Sequence, residues 1–261
     1  MPRFAANLTL LYTELPFLER FAAAASDGFR AVECLFPYDW PAAAIASRLR
    51  EHDLTLALFN LPPGNWTAGE RGLAALPGRE QEFAAGVELA LEYALATGCR
   101  LLHAMAGIPT PDAAADGTLA AYLSNLRRAT ARLAPHGITL LIEAINATDM
   151  PGYFLNRQQQ AMDYIDTVGA ANLRLQFDCY HCRVSDGDPL GWLPRVWERL
   201  GHIQIAGVPG RHEPEGGQID YPALFAQLDT LDYAGHVGCE YRPRGDTRAG
   251  LDWWQAWRDK Q

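Results

Sequence analysis

The chain has 261 residues, with a hydrophobic fraction of 49% and a charged fraction of 20%, values close to the average of folded globular proteins, which exclude a disordered or membrane-embedded class. A formal net charge of -9, from 22 Lys and Arg against 31 Asp and Glu, and the lack of any basic run argue against nucleic acid as a partner. The apolar N-terminal stretch is broken by Asn7, Thr9 and Thr13, so we expect neither a signal peptide nor a membrane segment, and we expect a cytoplasmic protein.

Short apolar runs alternate with helical patterns along the chain. The predicted strands are Arg3–Leu8, Arg30–Leu35, Leu54–Asn60, Arg100–Met105, Ile138–Ile145, Leu173–Asp178, His202–Ala206 and His236–Tyr241. The helices predicted to follow them are Pro16–Ser26, Pro41–His52, Arg79–Thr97, Asp116–Ala134, Arg157–Val168, Pro189–Leu200, Tyr221–Leu231 and Thr247–Arg258. Eight units of about 33 residues, each one strand and one crossover helix, predict an α/β fold, a (β/α)₈ TIM barrel forming a single domain over residues 1–261.

Glycines mark the ends of several predicted helices. Glycine adopts the left-handed backbone that ends many helices without the steric penalty that a Cβ atom causes. The glycines in such positions are Gly28, Gly98, Gly137, Gly201 and Gly235. We predict that each of them ends a helix in the left-handed conformation.

The longest irregular connection runs from Leu61 to Gly78 and contains five glycines and prolines within LPPGNWTAGERG. A long loop in a compact domain usually serves binding or catalysis. We therefore predict that it lies over the active site, where Trp66 either closes the site or packs the loop.

The five cysteines are Cys34, Cys99, Cys179, Cys182 and Cys239. An odd number in a chain without a secretion signal argues against a disulfide framework, and we expect small buried hydrophobic residues. Cys179 and Cys182 form a C-x-x-C motif, for which a zinc or redox site is the alternative interpretation.

Each predicted strand carries a polar or charged side chain within it or at its end. Strands buried on both faces are normally apolar, so these residues need a reason to be there. They are Asn7, Glu33, Asn60, His103, Glu143, Asp178, Gln204 and Glu240. Active sites of such barrels lie at the C-terminal ends of the strands, so we predict that these side chains surround the site.

The last four of these residues, Glu143, Asp178, Gln204 and Glu240, are 35, 26 and 36 residues apart, about one unit each, and so come from consecutive strands. Strands about 4.8 Å apart let the four side chains converge, and three converging carboxylates repel one another unless a cation lies between them. Four oxygen donors favour one divalent ion, Mg²⁺ or Mn²⁺, with two positions left open for a chelating substrate. The alternative is four separate structural residues in buried ion pairs or loop caps.

His103 and His181 belong to the same face of the predicted barrel. We interpret each as a polar contact to substrate or as a metal ligand, and the alternative for each is a satisfied core histidine. Asn60, at the end of its strand, is a further predicted substrate contact.

With these residues in place, the chain resembles the hydroxypyruvate isomerase family within the xylose isomerase-like barrels. The resemblance covers nearly the whole length, through RFAANLTLLYTELPFLERF, VECLFPYDW, FNLPPGNWTAGERG, PGREQEF, LLIEAIN, QFDCYH, GHIQIA and VGCEYRP. LHAM at 102–105 and the double proline in FNLPPGNW are more similar to the 2-oxo-tetronate isomerases. The resemblance implies a metal-dependent isomerase and leaves the substrate open between three-carbon hydroxypyruvate, which we place first, and a four-carbon 2-oxo-tetronate.

Carried over residue by residue, the resemblance makes Glu143, Asp178, Gln204 and Glu240 the metal ligands, with Glu143 and Glu240 as the acid/base pair. It places His181 and Arg211 where related sugar epimerases contact substrate oxygens. The expected reaction removes a proton next to the carbonyl, passes through an enediolate and returns the proton to the other carbon, with either glutamate as the first base. A hydride shift between two metals is the competing chemistry, but the chain offers ligands for one.

A carboxylate substrate needs local positive charge, which Arg71 or Arg211 can supply as a bidentate clamp. We favour Arg71, because flanking glycines would let it fold over the pocket; an ordinary surface arginine is the alternative. The expected partner is a small hydroxy-carbonyl acid, and a homo-oligomer is compatible with the sequence.

Three other functions are alternatives for this sequence. A ketose 3-epimerase shares the enediolate but returns the proton to the opposite face of the same carbon. A metal-dependent nuclease would need more histidines and a basic groove. A sugar-binding barrel without catalysis would have little use for two glutamates on one metal.

Overall fold

The fold is a closed barrel of eight parallel strands, described in a computed structural model over residues 2–110 and 115–258. The strands are β1 Arg3–Asn7, β2 Ala31–Cys34, β3 Thr55–Asn60, β4 Leu101–His103, β5 Thr139–Glu143, β6 Leu173–Asp178, β7 Leu200–Ile205 and β8 His236–Cys239. Each pairs with the next in chain order, and β1 pairs with β8 to close the ring, which confirms the predicted (β/α)₈ barrel. Of the predicted domain 1–261, Met1 and residues 111–114 and 259–261 lie outside the described residues.

Helices cover the outside of the barrel. Within the described ranges they are α1 Arg20–Ser26, α2 Ala42–Glu51, α3 Glu80–Thr97, α4 Ala115–Leu133, α5 Gln158–Val168, α6 Cys179–Ser185, α7 Pro189–Val196, α8 Tyr221–Thr230 and α9 Asp252–Arg258. Short 3₁₀ turns occupy Phe17–Glu19, Trp66–Ala68, Ala134–His136, Trp197–Arg199 and Arg248–Gly250. None of the helices in these ranges is long and apolar enough to cross a membrane.

Helix α5 illustrates how the sequence forms these layers. Ala161, Met162 and Ile165 recur at helical spacing and are buried, so one face of the helix packs toward the barrel and contacts β6. The helix ends at Gly169, which has a left-handed backbone with φ of 69°. Burial of this face, at roughly 1.5–3 kcal/mol for each large side chain, stabilises the helix more than its intrinsic propensity does.

The sequence did not predict α6, which follows β6 without a loop. Asp178 ends the strand and caps the helix, because its side chain accepts hydrogen bonds from the next turn. Cys179 and Cys182 lie one turn apart on this helix, and both are buried and free. All five cysteines are free and buried, which confirms the predicted burial.

Glycines end the helices in only part of the predicted places. Gly201 and Gly235 lack the left-handed backbone, and the prediction for them is wrong. Gly201 instead lies within β7, where a Cβ atom would approach Leu141 Cδ2 to 2.6 Å, so close packing between strands requires glycine there. Left-handed backbones are confirmed at Gly28, Gly98 and Gly137.

The loop between β3 and α3 is anchored at the C-terminal side of β4. Gly72 has φ of +112° and forms an isolated bridge with Ala106. A Cβ atom on Gly72 would lie 2.3 Å from the backbone oxygen of Met105, so the loop passes directly over that backbone. The loop therefore reaches the face of the barrel where the strands end.

Candidate active site and metal centre

A cavity of about 690 Å³ opens at the C-terminal ends of the strands. Eight of the ten side chains that the sequence analysis selected line it: Asn60, Trp66, Arg71, His103, Glu143, His181, Arg211 and Glu240. The other two, Asp178 and Gln204, are fully buried beside and beneath it. The loop that carries Trp66 and Arg71 thus borders the site, as predicted.

Three buried carboxylates meet at this cavity. Glu143 ends β5, Asp178 ends β6, and Glu240 follows β8 directly. Ligand atoms of Glu143, Asp178 and His181 lie within 4.8 Å of one another. Burial, followed by the charges of Glu240 and Asp178, raises the pKa of Glu143 well above its usual value. Burial also raises the pKa of Glu240, to about 8. A divalent cation would favour the ionised carboxylates, so this donor set fits a metal ion.

Arg211 is the cation that pairs with these carboxylates. Its Nη2 atom lies 2.5 Å from Glu240 Oε2 and 3.3 Å from Asp178 Oδ2. Burial alone would lower the pKa of Arg211, but the charges of Glu240, Asp178, Glu143 and Tyr180 together outweigh burial and raise it. The guanidinium also lies over the Tyr180 ring, at 5.2 Å from the centroid. Its charge is therefore already engaged within the protein.

The two carboxylate oxygens of Asp178 have different partners, one in helix α6 and one in the cavity cluster. Oδ1 accepts hydrogen bonds from the backbone N–H groups of Tyr180, at 2.7 Å, and His181, at 3.3 Å. Oδ2 faces Arg211 and, at 3.7 Å, His181 Nε2. Capping of α6 thereby fixes the carboxylate plane and turns the second oxygen toward the carboxylate cluster.

Asn146, which the sequence analysis missed, determines the tautomer of His181. The Asn146 Nδ2 atom lies 2.6 Å from His181 Nδ1, and its backbone N–H donates to the same nitrogen at 3.3 Å. Asp149 fixes the amide orientation, because its backbone N–H donates to Asn146 Oδ1 and its carboxylate accepts from Nδ2. Nδ1 is therefore an acceptor, and the proton of the neutral ring lies on Nε2.

This tautomer favours a donor role for His181. Burial lowers the pKa of His181 well below its usual value, so the ring is neutral. Nε2 lies 3.9 Å from Glu143 Oε1 and faces the carboxylate cluster. Coordination of a metal through Nε2 would need the opposite tautomer and the loss of both bonds from Asn146, so the geometry favours a hydrogen bond to substrate oxygen.

Gln204 is buried on β7 and, like Asp178, does not line the cavity itself. Its Cα pairs with Asp178 on one side and with Gly238, two residues before Glu240, on the other. Its Oε1 accepts from Gln176 Nε2 at 2.7 Å, and its Nε2 donates to a buried carboxylate on β2. The sequence analysis also missed Gln176. Its position two residues before Asp178 is the signal that could have identified it, because side chains two residues apart lie on the same face of a strand.

His103 ends β4 and Asn60 ends β3, the two strands before the one that carries Glu143. His103 Nδ1 is 3.7 Å from Glu143 Oε2, and neither ring nitrogen has a hydrogen-bond partner among the described residues. Burial lowers the pKa of His103 to about 3, so its imidazole is neutral. A buried neutral imidazole without partners is suited to bind a polar ligand.

Two arginines at the cavity keep their charge available. Arg71 donates to the backbone oxygens of Trp66, at 3.0 Å, and Glu70, at 2.7 Å, and its guanidinium lies 4.0 Å from the Trp66 ring centroid. Arg242 lines the cavity from the segment after β8 and was not selected from the sequence. Across residues 2–110 and 115–258, no carboxylate lies within ion-pair distance of either arginine.

The chain is similar to enzymes of known sequence along its whole length. It matches a family model for xylose isomerase-like TIM barrels over residues 21–257. It is 57% identical over 253 residues to a 2-oxo-tetronate isomerase of Cupriavidus necator, covering 97% of each chain. It is 43% identical over 258 residues to the hydroxypyruvate isomerase of Escherichia coli, covering 99% of this chain and all of the relative.

Solved structures are similar to the chain in fold, and one of those that match is also similar in sequence. It is described as an AP endonuclease of family 2 from Brucella melitensis, with a TM-score of 0.97 and 50% identity over 99% of this chain and all of that chain. The D-psicose 3-epimerase of Clostridium cellulolyticum is similar in fold, with a TM-score of 0.75 at 17% identity over 95% of this chain and 87% of that chain.

Proposed function

Because the chain belongs to the xylose isomerase-like TIM barrel family, we propose that it is a metal-dependent isomerase of small 2-oxo acids that carry a neighbouring hydroxyl group. We take 2-oxo-tetronate as the first substrate, because the 2-oxo-tetronate isomerase relative is more similar than the hydroxypyruvate isomerase relative. Hydroxypyruvate, which the sequence analysis placed first, is the second candidate.

The observation that carries this proposal is the meeting of Glu143 and Glu240 at one cavity. Both carboxyl groups are buried, burial raises the pKa of each, and the charge of Glu240 raises the pKa of Glu143 further. Groups tuned in this way can exchange protons with carbon acids near neutral pH. Arg211 holds Glu240, whereas Glu143 Oε1 has no hydrogen-bond partner in the described part of the chain.

We assign the metal to Glu143, Asp178 and Glu240, with the carbonyl oxygen of Gln204 as the fourth ligand. Oxygen donors favour Mg²⁺ or Mn²⁺. A bound divalent ion supplies a Lewis acid that polarises the substrate carbonyl and stabilises the negative charge of the enediolate.

The chain's own groups move the proton. One glutamate takes it from the carbon that carries the hydroxyl group, and the other delivers a proton to the carbon that carried the carbonyl. The hydroxyl proton passes to the former carbonyl oxygen, so substrate and product differ only in where carbonyl and hydroxyl stand, and proton exchange with solvent returns both glutamates to their starting states. His181 donates from Nε2 to a substrate oxygen, and His103 and Asn60 provide polar contacts from the ends of β4 and β3. The burial of these groups excludes water from the enediolate.

Arg71 and Arg242 recognise the carboxylate of the substrate. Arg211 is engaged by Asp178 and Glu240, so an acid that enters the cavity meets unpaired positive charge only at the other two arginines among the described residues that line it. A guanidinium favours a carboxylate over a neutral sugar because the pair is both charged and hydrogen-bonded. This is why we prefer an acid isomerase to a ketose 3-epimerase.

The experiment is a substrate panel run with metal-free and metal-loaded protein. After chelation, we expect no isomerisation of 2-oxo-tetronates or hydroxypyruvate, and we expect Mg²⁺ or Mn²⁺ to restore it. Neutral ketoses and duplex DNA serve as competing substrates for an epimerase and a nuclease. Full activity in a demonstrably metal-free preparation, or faster turnover of ketoses or DNA than of acids, would contradict the proposal.

A further inference from the structure

We propose that Gln176 is a positioning residue that orients two ligands of the proposed metal, Glu143 and Gln204, from inside the barrel. This inference rests on the metal site of the proposed function. Gln176 lies on β6 beneath the cavity, is fully buried, and contacts both ligands through a single amide group. It is not expected to touch the substrate.

The contacts form one continuous chain of hydrogen bonds across the barrel interior. Gln176 Nε2 donates to Glu143 Oε2 at 3.0 Å and to Gln204 Oε1 at 2.7 Å. Gln204 Nε2 then donates to Glu33 Oε1 at 2.8 Å. Glu33 lies 2.8 Å from His202 Nε2 through its other oxygen. All five side chains are buried, so water does not compete for these bonds.

The two carboxylates of this chain set the direction of the hydrogen bonds that the two glutamines between them make. Glu143 and Glu33 are carboxylates, which accept hydrogen bonds when ionised, so each must face an NH₂ group. Gln204 therefore turns its NH₂ toward Glu33 and its carbonyl oxygen toward Gln176. If the Gln176 amide were reversed, its oxygen would face both the Glu143 carboxylate and the Gln204 oxygen, and two attractive contacts would become repulsive.

Two consequences for cation binding follow. The carbonyl oxygen of Gln204, the atom a hard cation prefers, is held on the side of Glu143, and it has a second lone pair that Gln176 does not use. Glu143 Oε2 is bound by Gln176, so Oε1 is left for the cavity. Without Gln176, both side chains could rotate away from this arrangement. Loss of such outer contacts typically weakens metal affinity by about 10- to 100-fold.

The direct test is Mn²⁺ titration by calorimetry with full-length Gln176→Leu, which keeps the approximate volume and removes the donor. We expect the dissociation constant of Mn²⁺ to rise by about 10- to 100-fold relative to the unchanged chain. Gln158→Leu is the matched control, because Gln158 is equally buried and its side-chain amide has no hydrogen-bond partner in the described ranges. This control should bind Mn²⁺ like the unchanged chain. Gln176→Met is measured alongside, since a flexible side chain of similar length lowers the risk of misfolding.

A double-mutant cycle separates positioning from general destabilisation. If Gln176 acts through Gln204, then Gln176→Leu should weaken Mn²⁺ binding several-fold less in a Gln204→Leu background than in the unchanged chain. Equal effects in both backgrounds, or unchanged affinity in folded Gln176→Leu or Gln176→Met, would overturn the inference. Failure of the unchanged chain itself to bind Mn²⁺ would instead contradict the proposed metal site, so the two failures are distinguishable.

Discussion

At the scale of single residues, the two glutamates of the cavity differ in what holds them. Gln176 donates a hydrogen bond to Glu143 through Nε2, and Arg211 donates one to Glu240 through Nη2. Substitution by glutamine keeps the shape and an oxygen for the metal but removes the exchangeable proton. We expect Glu143→Gln and Glu240→Gln each to lower kcat by about 10²–10⁴-fold, the usual loss of general acid/base catalysis, while calorimetry still detects bound metal.

The double substitution and isotope transfer check this prediction. The double variant should be little slower than the slower single variant, because residues acting as one unit are strongly non-additive. Incorporation of solvent deuterium at the receiving carbon would support proton transfer. Near-normal rates in either single variant, combined with direct carbon-to-carbon transfer of substrate deuterium, would instead indicate a hydride shift.

Arg71 gives a second prediction at this scale. Its charge has no carboxylate partner among the described residues and faces the cavity, so we expect Arg71→Ala to raise KM for the acid substrate more than it lowers kcat. Arg242→Ala should act in the same direction. Arg48→Ala is the control, because Arg48 lies on the surface of α2 and pairs with Glu51. An unchanged KM in Arg71→Ala would return Arg71 to the role of a loop-packing residue.

At the scale of elements, the loop between β3 and α3 positions Arg71 through its anchor at Gly72. Gly72→Ala would force a side chain into a left-handed backbone and against the oxygen of Met105 at 2.3 Å. We expect a loss of more than about 1 kcal/mol in the free energy of unfolding and a raised KM for the acid substrate. Urea unfolding and steady-state kinetics measure the two effects.

Gly69→Ala is the matched control for this loop. Gly69 also has a positive φ, of 95°, but a Cβ atom there would meet nothing within 4 Å. Only backbone strain should therefore appear, with KM close to that of the unchanged chain. Equal KM values in Gly69→Ala and Gly72→Ala would show that the anchor at Met105 does not position Arg71.

The elements also show which parts of the site a sequence can predict. Buried parallel strands are apolar, so Glu143, Asp178 and Glu240 stand out at strand ends, and their convergence follows from strand order. The sequence does not show which of these residues are level with one another in the barrel. Gln204 has a similar unit spacing, and its Cα is level with Asp178 on one side, yet on the other side it is level with Gly238, two residues before Glu240. The distinction depends on the register between strands, which spacing along the chain does not determine.

Residues that act through other residues were missed for a related reason. Gln176 and Asn146 are ordinary polar residues in the sequence, and only the hydrogen bonds to Glu143 and His181 reveal their roles. Helix α6 was missed because its cap, Asp178, is also the last residue of the preceding strand. Helix prediction from sequence relies on a separate cap after a loop, and no loop exists here.

At the scale of the whole molecule, His236 links stability to pH. Burial, aided by the charge of Arg3, lowers the pKa of His236 from 6.5 to about 4 in the folded chain. The unfolded chain therefore binds a proton at a higher pH than the folded chain does. The neutral, buried His236 therefore contributes fully to the free energy of unfolding above pH 6.5. This contribution is lost as the pH falls through about 4, because the unfolded chain is protonated first.

We expect His236→Gln to flatten the dependence of the free energy of unfolding on pH between 6.5 and 4, as measured by denaturant titrations at several pH values. Arg3→Gln should raise the lower pH limit of this slope, because it removes one of the charges that lower the pKa of His236 in the folded chain. A slope in His236→Gln equal to that of the unchanged chain would exclude His236 as a source of acid sensitivity.

The closure of the barrel between β1 and β8 has a consequence for synthesis on the ribosome. Strand β1 lies beside β8, and the Phe4 ring packs at 5.4 Å against both Trp253 and Trp254. A nascent chain that has not yet extended to these residues keeps one edge of β1 unpaired and its aromatic face uncovered, which favours association with other chains. Glu240 follows β8 directly, so the same late segment that closes the ring also completes the proposed proton-transfer pair.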